Sequence, residues 1–284
     1  MTPRTVLLTA VAMLAFAANS LLCRAALGAD LIDAASFASV RVISGAVVLL
    51  VIMAARDRRL SGPAADWRMV VALFVYVALF SFAYIWLAAG TGALLLFGAV
   101  QLTMFTVALR RGERFTALSW AGLAAAILGL IYLVSPGLTA PDPFGAVLMI
   151  VAGVAWGVYS LLGRGAADAL AATAGNFLYA VPLVVVVSLI FWQDFGISPQ
   201  GVTLAVASGA VASGCGYVIW YAALRGLTAT RAATVQLSVP VIAAFGGVVL
   251  MSEEVTFRLL IASAATIGGV AVVLSQRAAK AAAP

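Results

Sequence analysis

Apolar runs of about twenty residues follow one another along almost the whole chain. The first set spans about residues 5–27, 35–55, 68–89, 91–109 and 117–135, and the second about 144–167, 172–192, 201–224, 230–251 and 258–276. Charges, prolines, glycines and short polar stretches separate them. A helix crossing about 30 Å of hydrocarbon needs roughly twenty mainly apolar residues and satisfies its own backbone hydrogen bonds. The pattern therefore predicts an all-α integral membrane protein with ten transmembrane helices. Its tightest junction is Ala89-Gly90-Thr91-Gly92, where glycines alone mark a turn.

Composition agrees with this reading. Of 284 residues, 65% are hydrophobic and 9% charged, against about 25% charged in soluble domains. The net charge of +6 points to topology rather than to nucleic acid, because the basic residues sit in the gaps between apolar runs. With the N-terminus placed in the cytoplasm, the inner gaps receive Arg4, Arg56, Arg58, Arg59, Arg68, Arg110, Arg111, Arg114, Arg164, Arg225, Arg231, Arg277 and Lys280. Only Arg24, Arg41 and Arg258 fall outside. This bias predicts that both termini are cytoplasmic. Histidine is absent, and Cys23 and Cys215 lie in apolar stretches, so neither a His-based metal site nor a disulfide framework follows. No cofactor site and no catalytic constellation of nucleophile and base is expected.

The chain also repeats itself. Residues 11–27 read VAMLAFAANSLLCRAAL, and residues 151–167 read VAGVAWGVYSLLGRGAA. At the same 140-residue offset Ala93 matches Ala233, Phe105 matches Phe245, Glu113 matches Glu253, Thr116 matches Thr256 and Gly129 matches Gly269. Two halves of five helices follow, over 1–137 and 141–276, with 277–284 as a short cytoplasmic tail. Five is odd, so the second half crosses the bilayer in the opposite sense. Such inverted repeats place a substrate cavity near the midplane between the halves. The first run also resembles a cleaved leader, with Arg4 ahead of an apolar stretch and Ala15-Phe16-Ala17. Its copy at 151–167 identifies it instead as part of the fold.

Trp156-Gly157-Val158-Tyr159-Ser160 followed by Arg164 resembles the first-helix motif of EamA-type carriers in the drug/metabolite transporter superfamily. Phe16-Ala17-Ala18-Asn19-Ser20 with Arg24 is a weaker copy, in which Phe16 and Ala17 replace Trp-Gly. Arg41 and the Glu113 and Glu253 junctions, each with Thr three positions on, fit the same pattern, while Val100 stands where the other half has Pro240. The chain is most similar to the YddG-type aromatic amino-acid exporter branch. That resemblance implies ten helices around a central cavity, a bacterial-type inner membrane and export from the cytoplasm, by a monomer or homodimer.

Candidate substrate contacts come from helix faces. Phe16, Asn19, Ser20 and Cys23 share one face of the first helix, and Trp156, Tyr159, Ser160 and Gly163 one face of the sixth. An aromatic ring beside a hydroxyl or amide suits an amino acid; helix packing accounts for the same residues. Tyr76, Phe80 and Tyr84 form a stripe at four-residue steps, answered by Tyr217, Trp220 and Tyr221. Trp86 and Trp220 are read as interfacial belt residues. Gln101, Met104, Gln236, Ser238 and Pro240 make the fourth and ninth helices a gate or site. The Ala/Gly-rich segments 121–129 and 262–269 read as scaffold or dimer surface.

Every Asp and Glu falls at a predicted helix end or connection. A proton-driven carrier usually keeps an ionisable group within the membrane, so the expectation is transport without proton coupling. Glu113 and Glu253 suit pairing, or capping at the start of the next helix. Arg41, about two turns into the second helix, either meets a substrate carboxylate or pairs with Asp30 or Asp33; the structural role is expected. The functional reading is an exporter of aromatic and other neutral amino acids. Export of another small metabolite or drug is the alternative, and a channel or receptor is the alternative of another class.

Overall fold

The computed structural model describes residues 2–57, 65–163, 166–227 and 229–282; at 57, 229, 230 and 277–282 only the helical backbone is described. Arg58, Arg59 and Arg164, three of the basic gap residues, lie outside the described residues. The first five spans are α1 (Pro3–Leu27), α2 (Ala34–Asp57), α3 (Trp67–Ala83), α4 (Ala89–Arg110) and α5 (Ala117–Val134). The next two are α6 (Pro143–Gly163) and α7 (Ala169–Ile190). The eighth is a continuous run of α8 (Pro199–Val206), a π-helical segment (Ala207–Cys215) and α9 (Gly216–Leu224). Helices α10 (Ala229–Gln236) and α11 (Ser238–Met251) form the ninth, and α12 (Phe257–Ala282) the tenth. The last helix continues through residues that the sequence assigns to a tail.

Helix starts follow local chemistry. Asp33, Asp66, Asp142 and Asp168 accept from backbone N–H groups at the starts of α2, α3, α6 and α7. Thr116 and Thr256, the matched residues of the two halves, cap α5 and α12. Each supplies an acceptor to first-turn donors that have no partner within the helix.

The junction between the third and fourth spans differs from the expectation. The chain turns at Tyr84–Leu87, and Gly90 and Gly92 lie inside α4. Those glycines permit close packing rather than a turn. A Cβ on Gly90 would lie 2.6 Å from the Ala244 Cβ, and one on Gly92 2.5 Å from the Tyr84 ring. In the ninth span the helix breaks at Leu237, just before Pro240. Proline lacks an amide donor and its ring crowds the preceding turn, whereas Val100 leaves α4 unbroken.

The ten spans form two five-helix repeats of inverted topology around a central cavity. Helix α2 packs on α7, α4 on α11 and α5 on α12, each a pair of counterparts across the repeat. The α3–α6 contact has its counterpart in the contact of α1 with the eighth span. Apolar side chains also cover the outside, among them Leu7, Val51, Leu128, Leu189, Phe245 and Leu250, as expected where lipid is the solvent.

The Ala/Gly-rich segments are used within the chain. A Cβ on Gly122 would sit 2.6 Å from the Gly269 carbonyl oxygen, and one on Gly269 2.8 Å from the Ala126 amide nitrogen. Close backbone approach of this kind gives membrane helices their dispersion contacts. Gly269→Val is expected to cost about 1–3 kcal/mol by overpacking, seen as a lower unfolding midpoint in detergent. Gly268→Ala, where a Cβ meets nothing within 4 Å, is expected to leave that midpoint unchanged or slightly raised.

Candidate functional site

Aromatic side chains from both repeats meet at the centre of the bundle. Phe16 of α1 lies edge-on to Trp156 of α6, Tyr217 and Trp220 of α9, with ring centroids at 6.4, 6.0 and 5.7 Å. Trp156 stacks on Tyr159 at 5.3 Å and packs on Tyr76 at 4.8 Å and Tyr217 at 5.2 Å. On one side of this girdle is a cavity of about 320 Å³, bounded by Phe16, Trp156, Tyr159, Ser160, Tyr217 and Gln236 and reaching Leu224 and Leu227 at the end of the bundle that carries the termini. Small-ligand pockets are usually about 300–1,000 Å³, so its size suits one small solute. Beyond the girdle, Asn19, Ser20, Tyr76 and Phe80 enclose a chamber of about 10 Å³, room for about one water.

The opposite end is closed by polar contacts. Arg24 of α1 donates to Glu253 at 3.1 Å and to the carbonyls of Tyr84 and Ile85 at 3.2 and 3.1 Å. The other Glu253 oxygen accepts from the Ala89 N–H at 2.9 Å, and the Tyr84 hydroxyl donates to the Ala89 carbonyl at 3.3 Å. One ion pair thus ties α1 to the end of α11 and satisfies both sides of the α3–α4 turn. Glu253 caps α4, where the sequence places such capping at the helix that follows.

Ten of the thirteen candidate residues line the cavity or the chamber: Phe16, Asn19, Ser20, Tyr76, Phe80, Trp156, Tyr159, Ser160, Tyr217 and Gln236. Three do not. Tyr84 follows the last residue of α3 and is buried at the closed end. Gln101 donates to the Ala233 carbonyl and lines a separate cavity beside α12. Ser238 is exposed and donates back to the Val235 carbonyl at 2.7 Å; two residues beyond buried Gln236, it occupies another face of the chain.

Residues beyond those thirteen also join the site. Trp220 is buried against Phe16 and lines the cavity rather than the interface, whereas Trp86 is exposed and packs on Phe144. Met104 and Tyr221 line the cavity as well. The largest departure is Arg41, which is completely buried and pairs with neither Asp30 nor Asp33. Asp33 is engaged by the N–H groups of Ser36 and Gly196. Arg41 instead donates from Nε to Ser213 Oγ at 3.3 Å and from Nη2 to the Tyr76 hydroxyl at 3.0 Å. Asn19 accepts from Ser208 at 2.8 Å and from Ser213 at 3.2 Å. The π-helical segment carries both serines, and such segments often mark functional positions.

A model of the EamA-like transporter family matches residues 143–275, nearly the whole second repeat. An uncharacterized protein of Pseudomonas aeruginosa is 50% identical over 98% of this chain and 97% of its own length. Residues 143–275 form an EamA-like transporter domain. Two further relatives, an uncharacterized transporter of Bacillus subtilis and another of Archaeoglobus fulgidus, are 21% and 29% identical. The first alignment covers 79% of this chain and 82% of the relative, the second 53% and 55%. A crystal structure superposes with a TM-score of 0.68 over 96% of this chain and 98% of its own, at 20% identity, and shows the shared fold. The family model identifies the second repeat as EamA-like, and the aromatic-exporter branch is a functional proposal.

The native Cys23, wholly buried one residue before Arg24, reports on the closed end. In a Cys215→Ala background, Glu253→Gln is expected to speed maleimide labelling of Cys23 about tenfold. This is the scale of losing one partly buried charge-assisted hydrogen bond. An unchanged rate would show that this end is held shut by packing alone.

Proposed function

We propose that this protein exports neutral amino acids, aromatic ones foremost, by alternating access between its two repeats. The observation that carries the reading is the aromatic cavity at the repeat interface, which reaches the terminus-bearing end while the Arg24–Glu253 pair ties the opposite end. The positive-inside bias assigns the terminus-bearing end to the cytoplasm, so the cavity is loaded from inside a bacterial-type cell. Rings of Phe16, Trp156, Tyr159 and Tyr217 offer faces and edges to an aromatic solute, and Ser160 and Gln236 supply polar contacts.

Energy comes from the solute gradient. The buried charged group among the described residues is Arg41; the capping carboxylates sit at helix ends. Asp168, at the start of α7, is held down to about 2 by hydrogen bonds from Arg56. Because its folded value lies below the ordinary 3.8, the Arg56–Asp168 tie between α2 and α7 is present above that value and lost only as the pH falls towards about 2. Transport is therefore expected to vary little between about pH 5 and pH 8.

Counterflow in proteoliposomes tests the proposal. Labelled phenylalanine should accumulate in vesicles preloaded with unlabelled phenylalanine, saturably and with no pH gradient or voltage. Trp156→Ala should slow it about tenfold through lost stacking and packing. Dependence on an imposed pH gradient would overturn the uncoupled mechanism. Exchange of other metabolites but not phenylalanine would overturn the substrate, and unitary currents would identify a channel.

A further inference from the structure

Arg41 is a cation without an anion. It lies eight residues into α2 and is fully buried, at a depth where an unpaired charge is costly. Arg24 is paired with Glu253 and Arg56 with Asp168, but no carboxylate among the described residues reaches Arg41. Its titratable neighbours are Tyr76, Tyr217 and Cys23. The hydroxyls of Tyr76 and Ser213 occupy Nη2 and Nε, while Nη1 has no partner. The guanidinium carbon stands 4.8 Å from the Phe80 ring centroid and 5.3 Å from that of Tyr76. Ring faces attract a cation but leave its charge uncompensated, and a buried charge calls for an opposite charge.

The position of Arg41 shows where that charge comes from. Tyr76 and Phe80, on which the guanidinium rests, are walls of the inner chamber. Chamber and cavity share Phe16, Trp156 and Tyr217, so one aromatic layer separates the solute cavity from the residues that cover Arg41. A chamber of about 10 Å³ is too small for a carboxylate. Tyr76 therefore has to part from Trp156 before anything larger than water reaches the guanidinium.

We propose that Arg41 is the counter-ion for the carboxylate of the transported solute. The carboxylate takes the vacant Nη1 and displaces the Tyr76 hydroxyl from Nη2, giving the two-pronged contact that guanidinium geometry favours. This deepens the amino-acid reading and rests on its placement of the solute between the repeats. It also gives the specificity a physical basis. Amines, amides and uncharged aromatics fit the cavity without neutralising Arg41 and are discriminated against. Displacing Tyr76 loosens a contact between α2 and α3, so solute binding and helix movement share one event.

Matched acids and amides test the assignment through ligand-induced shifts in the melting of purified protein. The panel is phenylalanine with phenylalaninamide, leucine with leucinamide, and 3-phenylpropionate with its amide, at a pH that keeps the amines protonated. Wild type is expected to prefer acid over amide by about tenfold to a hundredfold, the range of a buried charge-assisted contact. Arg41→Gln should bring the two within about twofold. Arg41→Lys, which keeps the charge but not the fork, should give an intermediate ratio, and the wild-type ratio is read without any substitution. Equal binding of acid and amide by wild type, no binding of any acid, or an undiminished preference in folded Arg41→Gln would each overturn the proposal. Arg41-dependent preference for leucine or 3-phenylpropionate without phenylalanine binding would support Arg41 and overturn the aromatic amino-acid reading. Phenylalanine bound as well as its amide would do the reverse.

Discussion

The ion pair between Arg24 and Glu253 holds together the end of the bundle opposite the central cavity. It joins α1 to α11, and its remaining atoms satisfy the carbonyls of Tyr84 and Ile85 and the amide of Ala89. Those groups belong to the turn between two apolar helices, where terminal backbone groups have no partner within either helix. Without Arg24 and Glu253, the turn would have to open towards water or unwind a helix end. Closure of this end and satisfaction of its backbone are therefore one requirement. The cavity at the other end is what the four central helices leave when they converge here.

The two repeats share a plan but divide the labour. Span two meets span seven, and span five meets span ten, the second pair through glycine faces that bring backbones together. Departures from symmetry gather around the cavity. The ninth span breaks beside Gln236 while α4 runs straight. The eighth widens into a π-helical segment that supplies Ser208 and Ser213 to Asn19 and Arg41, where α3 stays regular and supplies Tyr76 and Phe80. Symmetry builds the frame, and local defects in two helices of the second half place polar groups against aromatic ones from the first.

Much of this was legible in the sequence because it rests on length and period. Ten apolar runs define ten spans, the 140-residue offset defines the inversion, and three- and four-residue steps bring Phe16, Asn19, Ser20, Trp156 and Tyr159 to the centre. What escaped depends on chain geometry that period does not encode. Tyr84 continues the stripe of Tyr76 and Phe80 in sequence, but α3 stops at Ala83 and the ring turns away. Gly90 and Gly92 signal a turn by composition, yet they serve the approach of Ala244 and the Tyr84 ring. Trp220 lies near a span end and reads as an interfacial anchor, while the path of the eighth span points it at Phe16. Arg41 has two acidic residues close by in sequence, and only the packed structure shows that Asp33 is committed to backbone amides and that the guanidinium points into the bundle.

The distribution of charge gives the interior its chemical preference. Asp33, Asp66, Asp142 and Asp168 sit at helix starts, where first-turn amides donate to them, and Glu253 is held by Arg24. The anions are thus fixed at the margins, while one cation remains at depth among rings and hydroxyls. A proton cannot relieve that imbalance, because a guanidinium stays charged and no buried carboxylate among the described residues is there to exchange one. An anionic group entering with the solute can relieve it. A ligand shifts a conformational equilibrium only through its different affinity for the two states, and a carboxylate distinguishes sharply between Arg41 held by Tyr76 and Arg41 exposed to the cavity. On the proposed assignment of Arg41, the solute itself supplies the free energy for the movement that carries it.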